Sequence, residues 1–203
     1  MDRPGYFVSD SYMIRLKVFG IKVEISFLYL SLIAALSIYD RTGIVIWGIF
    51  SSFFHEICHL FTLYIFRIKP THMVYGLSGI KIVKENICSP VKEIIVLISG
   101  CLGNLLLFLI CIRFGLLTGA TLNLCLFFFN LLPSMVLDGG QILYAIFECF
   151  FGCYKSFMIC KGISIVVSFI LLIVGVAMLL YFKNPTMLFT GAMVMCSSLY
   201  QKF

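Results

Sequence analysis

The chain has 203 residues, 62% of them hydrophobic and only 12% charged, with a net charge of +6. Soluble domains are usually less than half apolar and about a quarter charged, so this composition excludes an ordinary soluble domain and implies a single bilayer-embedded bundle. The positive balance reads as Lys and Arg in cytoplasmic loops, and no nucleic-acid partner is expected.

Residues 1–20 mix charge, Pro and Gly, and no secretory leader is expected. A membrane-crossing helix needs about 17–25 mostly apolar residues. Six are predicted, at about 23–39, 44–66, 94–113, 119–132, 163–182 and 186–200. Pro133 interrupts the fourth. Between the second and third lies the longest polar connection, residues 67–93. Its stretch MVYGLSGIKIVKE mixes Gly with β-branched residues and then alternates apolar and charged. It reads either as a short strand or hairpin at the cytoplasmic surface or as an ordinary interfacial loop. The expected fold is an all-α polytopic membrane protein of about six helices with a small cytoplasmic β-hairpin or strand segment. A single domain is expected over 1–203, with a core at about 20–160, two further helices at about 163–200, and no soluble domain after them.

Placing both termini in the cytoplasm leaves only Arg41, Arg113 and Lys183 outside and the other 12 of the 15 Lys and Arg inside. The opposite orientation inverts that bias, so both termini are expected to be cytoplasmic. Nine cysteines lie scattered, mostly in apolar runs, and form no disulfide pattern. Cys149, Cys153 and Cys160 follow no common zinc spacing. Most of the cysteines read as small buried hydrophobes.

The second predicted helix carries His55-Glu56-Ile57-Cys58-His59. Residues four apart share a helix face, so His55 and His59 can reach one metal ion, with Glu56 beside the first. This is the HExxH arrangement of zinc metalloproteases, with the glutamate as base. The alternative is a pair of histidines bonded to neighbouring groups. Ionisable groups at mid-membrane are costly unless paired, which favours a functional role.

A catalytic zinc site uses three protein ligands and keeps one position open. His72 lies in the polar connection beyond Arg67, Lys69 and Pro70 and is a poor candidate for the third. Asp138, in FNLLPSMVLDGGQIL, is the only carboxylate between Glu93 and Glu148. Pro133 and Gly139-Gly140 bracket it, and broken membrane helices are tolerated where they line a cavity or are buried in protein. Asp138 is either the third ligand or the cap of a following helix at 141–150.

HEICH together with NLLPSMVLDGG resembles the site-2 protease family of intramembrane zinc metalloproteases. That family carries HExxH on one helix and N-x-x-P-x-x-x-x-D-G on a later one, matched here by Asn130, Pro133, Asp138 and Gly139. The DGG run, the small size and the loop GLSGIKIVKE resemble its sporulation branch, which activates a sigma factor. The similarity spans most of residues 20–160. The resemblance implies one zinc ion per chain on His55, His59 and Asp138, with Glu56 as catalytic base. It also implies that Asn130 positions substrate or stabilises the oxyanion.

A Gly-Pro-x-x-Asn-like element is matched by Gly100 and Asn104, but Cys101 replaces its proline. Small residues there also suit close helix packing. A nucleotide-sensing domain of the kind some relatives carry is not expected, so regulation falls to other membrane proteins. The resemblance implies a membrane-associated protein substrate and a bacterial cell or forespore membrane. The alternative function is a metal-ion transporter or permease using the same intramembrane His, Asp and Glu. Transporters commonly show internal repeats, and none is evident here.

Overall fold

The computed structural model describes residues 13–18, 21–40, 42–76, 79–84, 89–183 and 186–201. These fall into two compact units, one within Ser9–Asn130 and one within Leu131–Phe203.

The first unit contains β1 (Met13–Val18), β2 (Ile21–Ser26), α1 (Phe27–Tyr39) and α2 (Ile44–Ile65), followed by β3 (Pro70–Gly76), β4 (Gly79–Lys84), α3 (Pro90–Arg113) and α4 (Leu117–Asn130). The strands form one sheet in the order β1-β2-β3-β4. β1 and β2 are antiparallel, as are β3 and β4, whereas β2 runs parallel to β3. A parallel pair needs a long crossover, and α1 with α2 supplies it. Arg15 stands opposite Glu24 across the first hairpin, with Nε 3.5 Å from Oε1. Opposite charges facing each other favour that register.

The expected hairpin is present as β3–β4. The predicted helix at 23–39 is corrected: residues 23–26 belong to β2, and α1 is 13 residues long. The reason lies in the pattern. MIRLKV and IKVEIS alternate apolar and charged residues, the period of a strand. The 13 residues of α1 span about 20 Å, short of the roughly 30 Å of a hydrocarbon core.

α2, α3 and one helix of the second unit are long and apolar enough to cross a membrane. On α2, Phe53, Ile57 and Phe61 are exposed while Ser51, His55, Glu56 and His59 are buried. This inverts the soluble pattern: the apolar face meets lipid and the polar face turns inward. Gly43, at φ +74°, ends the turn before α2, and Asp40 accepts hydrogen bonds from the amides of Thr42 (2.9 Å) and Val45 (2.7 Å). These bonds, led by that from Val45, hold its carboxyl down at about 2.

At its other end, α2 closes in a Schellman turn. The Ile68 amide reaches Leu63 O and the Arg67 amide reaches Tyr64 O, both at 3.0 Å. Leu63 and Ile68 then pack together with Val96 of α3, the apolar contact that accompanies this motif. α3 ends in the same motif with Gly115 in the left-handed position; α2 has Arg67 there, at φ 57°.

The second unit contains α5 (Asp138–Phe151), α6 (Cys153–Phe182) and α7 (Thr186–Tyr200). Gly152, at φ +75°, separates α5 from α6. α6 and α7 approach at glycines, where a Cβ on Gly175 would lie 2.6 Å from Leu188 Cα. Close approach at small residues is a usual membrane-helix solution. Among the described residues α5 lies beyond the six predicted membrane-crossing helices, where the capping reading of Asp138 set a helix at 141–150, and α6 begins ten residues before the predicted 163. Hydropathy alone is diluted there by Glu148, Lys155 and Lys161.

Candidate metal centre

On α2 the buried residues Ser51, His55, His59 and Leu63 recur at four-residue steps, with Glu56 beside them. That spacing keeps them on one face. The His55 and His59 rings meet edge to face at 89°, centroids 4.6 Å apart. Their Nε2 atoms lie 3.0 Å apart. His59 Nδ1 is 2.7 Å from Val96 O. A carbonyl only accepts, so Nδ1 carries the proton and Nε2 presents a lone pair. His55 Nδ1 is 3.1 Å from Asn104 Nδ2.

α3 can lie this close because of its glycines. A Cβ on Gly100 would lie 2.8 Å from His55 Cε1 and would also strike the His59 ring, and one on Gly103 would lie 3.2 Å from Cys58 Cβ. The space over Gly100 is thus taken by the two imidazoles. Ser99 Oγ adds a tie to Cys58 O at 3.2 Å. From α4, Asn123 Nδ2 donates to Ser51 Oγ at 2.9 Å, one turn before His55. Two imidazole nitrogens directed together, one with its tautomer fixed by a carbonyl, suit a borderline-soft divalent ion such as zinc.

Asn130 is the last residue of α4 and is half-buried. His72 lies on β3 and lines an open groove with Arg15, Leu16, Lys22 and Glu24, apart from the paired histidines.

In the second unit, Asp138 is the first residue of α5. It is not the cap: that position is Leu137, extended at φ −106°, and no side chain caps there. The helix also begins three residues before the expected 141. Asp138 sits in the first turn, where a carboxylate suits the helix dipole. Gly139 and Gly140 do not adopt positive φ. They serve close approach instead, since a Cβ on either would strike backbone of residues 131–135.

The 131–137 segment is fastened by hydroxyls. Ser164 Oγ accepts from the Met135 amide at 2.9 Å and lies 2.9 Å from Ser134 Oγ and 3.0 Å from Ser198 Oγ. Neither sequence motif points to these serines. Their recurrence at 164 and 168 on one face of an apolar helix is the sequence trace they leave. Cys149 Sγ bonds Ala145 O, Cys153 Sγ bonds the Glu148 carboxylate, and Cys160 is buried, so the three thiols occupy different surroundings.

Residues 112–175 match the model of Peptidase family M50, a stretch that includes Asn130, Pro133 and Asp138 but not His55 or His59. No curated protein sequence matches the chain. Among solved structures, it is similar to the site-2 protease from Methanocaldococcus jannaschii, at 25% identity and a TM-score of 0.75. The similarity covers 95% of this chain and 97% of that one. The chain thus has a site-2 protease fold, and residues 112–175, in its second half, match the Peptidase family M50 model.

Proposed function

We propose that this chain is a zinc-dependent intramembrane endopeptidase acting as a single embedded domain. One zinc ion per chain is held by His55, His59 and Asp138. The observation that supports this most is the His55–His59 pair, with Nε2 atoms 3.0 Å apart on a buried face of α2 that also carries Glu56. When bound, the metal supplies Lewis acidity and a water acidified into the neutral range.

The chain's own residues do the rest. Glu56 takes a proton from the attacking water and returns it to the leaving amine. Asn130 donates its amide to the developing oxyanion. The substrate is a membrane-associated protein, since a buried site in a lipid-facing bundle selects chains already in the bilayer. Its cut segment is extended, because a helix hides its peptide bonds. β4 (Gly79–Lys84), within segment 72–86, is an edge strand of the sheet, and its free side offers main-chain bonds to such a peptide.

The chain lies in the bilayer with both termini cytoplasmic, in a bacterial cell or forespore membrane, under the control of other membrane proteins. A sporulation pro-sigma factor is the first substrate to test. A transporter is not favoured: the family match and the structural match both point to a peptidase.

The test is zinc content of detergent-purified wild type, His55→Ala, His59→Ala and Asp138→Ala, and cleavage of a membrane-tethered pro-sigma substrate by wild type and Glu56→Gln. About one zinc per chain, lost in all three variants, is expected. Zinc retained by Asp138→Ala overturns the ligand set. Cleavage by Glu56→Gln overturns the base.

A further inference from the structure

A groove of about 400 Å³ lies at the C-terminal end of α2, lined by Leu60, Tyr64, Arg67, Ile68, Lys69 and Pro70. Its wall is apolar, and its charges are two cations with no carboxylate among the described residues. Arg67 and Lys69 are both exposed. The groove continues the outward stripe of α2. Ile57, Phe61 and Tyr64 are exposed and lie three or four residues apart, so they share one face. A tyrosine at the end of such a stripe suits the headgroup level, with its ring against acyl chains and its hydroxyl in the polar layer. A third cation, Lys92, lies 5.8 Å over the Phe66 ring at the same end of α2.

Arg67 adds a second observation. It stands at φ 57°, in the left-handed region where α3 uses Gly115. Glycine would sit there without strain. Arg67 takes no part in the apolar cluster of Leu63, Ile68 and Val96 that closes the turn. A strained residue with an exposed side chain and no packing role calls for a use of that side chain. Its guanidinium is a planar fork that matches two phosphate oxygens, and the Lys69 ammonium adds a point charge two residues on.

We infer that this groove holds one anionic phospholipid. The phosphate lies against Arg67 and Lys69, and an acyl chain runs along Leu60 and Tyr64. Charge and shape together name the occupant. A soluble anion would leave the apolar wall uncovered. A zwitterionic lipid would bring its own cation against two others. This inference rests on α2 crossing the bilayer and is independent of the metal and peptidase readings.

The full-length protein in non-ionic detergent is titrated with phosphatidylglycerol, phosphatidylcholine or inorganic phosphate, and bound species are counted by native mass spectrometry. Flotation with vesicles of each lipid is measured alongside. Wild type is expected to hold one phosphatidylglycerol per chain more tightly than phosphatidylcholine, and to take up no inorganic phosphate at the same concentration. One cation near an anionic lipid contributes about fivefold in affinity. Lys69→Gln is therefore expected to weaken phosphatidylglycerol about fivefold, and Arg67→Gly with Lys69→Gln about 25-fold, with phosphatidylcholine unchanged. Arg67→Gly gives the turn its favoured residue, so this loss is separate from unfolding. Arg113→Gln, at the end of α3 and outside the groove, is expected to keep wild-type lipid affinity.

Equal affinity for the two lipids overturns the inference, as does a double variant that keeps its preference for phosphatidylglycerol. Inorganic phosphate held as tightly as the lipid makes the groove a free-anion site and overturns it too. A lipid-free dimer that separates in the double variant assigns the groove to a second copy of the chain instead. A wild type that floats with neither vesicle removes the membrane reading itself, and this inference falls with it.

Discussion

Asn123 of α4 gives its side-chain amide to Ser51 of α2 across 2.9 Å, one turn N-terminal to His55. Its second hydrogen goes to Gly119 O at 2.8 Å, so both donors of this fully buried amide are used within the bundle. Polar bonds between membrane helices average about 0.6 kcal/mol and reach about 1.7. Asn123→Ala is expected to lower stability within that range. Reversible unfolding in mixed detergent micelles measures it. A loss several times larger would mean that Asn123 does more than join α2 to α4.

Ser164 is the hub of the hydroxyl network in the second unit. Ser164→Ala leaves the Met135 amide without its acceptor and takes a partner from both Ser134 and Ser198. A buried donor left unmet costs about 1–3 kcal/mol. Hydrogen exchange at residues 134–137 is expected to quicken while α2 stays protected. Unchanged exchange at Met135 would show that Ser164 does not hold that segment.

Arg67 occupies the left-handed position at the end of α2 that Gly115 takes at the end of α3. A side chain there costs about 1–2 kcal/mol relative to an unhindered backbone. Arg67→Gly is expected to raise stability by about 1 kcal/mol, and Arg67→Ala to give no gain. Thermal unfolding in detergent distinguishes them. Equal effects from the two would place the contribution of Arg67 in its charge.

Asp40 binds the amides at the start of α2, and its carboxyl sits at about 2, below the ordinary 3.8. A lowered folded-state value means stabilisation that is complete above about pH 4 and disappears as pH falls through about 2. Asp40→Asn is expected to be less stable than wild type at neutral pH, with the two curves converging between about pH 4 and 2. Parallel curves through that window would show that the ionised form contributes nothing.

The placement of α2 and the burial of its polar face were readable from HEICH, because ionisable groups four apart in an apolar run are too costly in lipid to face outward. The β3–β4 pair was readable from GIKIVKE. The β1–β2 pair is equally visible in MIRLKV and IKVEIS, but Val23–Ser26 runs straight into the apolar residues of α1, so hydropathy alone extends that helix over the strand. The start of α3 was marked by Ser89-Pro90, a cap followed by proline at the first helical position. The apolar run alone begins after Lys92 and Glu93, so the helix was expected to start later. α5 is legible only through one of the two readings of Asp138, the cap of a helix at 141–150, and the helix starts at Asp138 itself. The partner of Asn104 could not be read at all. His55 lies 49 residues away in the chain, and only packing on Gly100 and Gly103 brings the two together.

The parallel join of β2 to β3 sets an order of assembly. β1 and β2 meet across two residues and can pair as soon as Ser26 has been synthesised. Lys22 cannot meet His72 until α1 and α2 have been made and the chain has returned to the same side. Contacts so distant in sequence form slowly, since loop closure comes before any gain from pairing. During that interval the free side of β2 is an open edge, and a chaperone or a neighbouring nascent chain has its best chance to pair there.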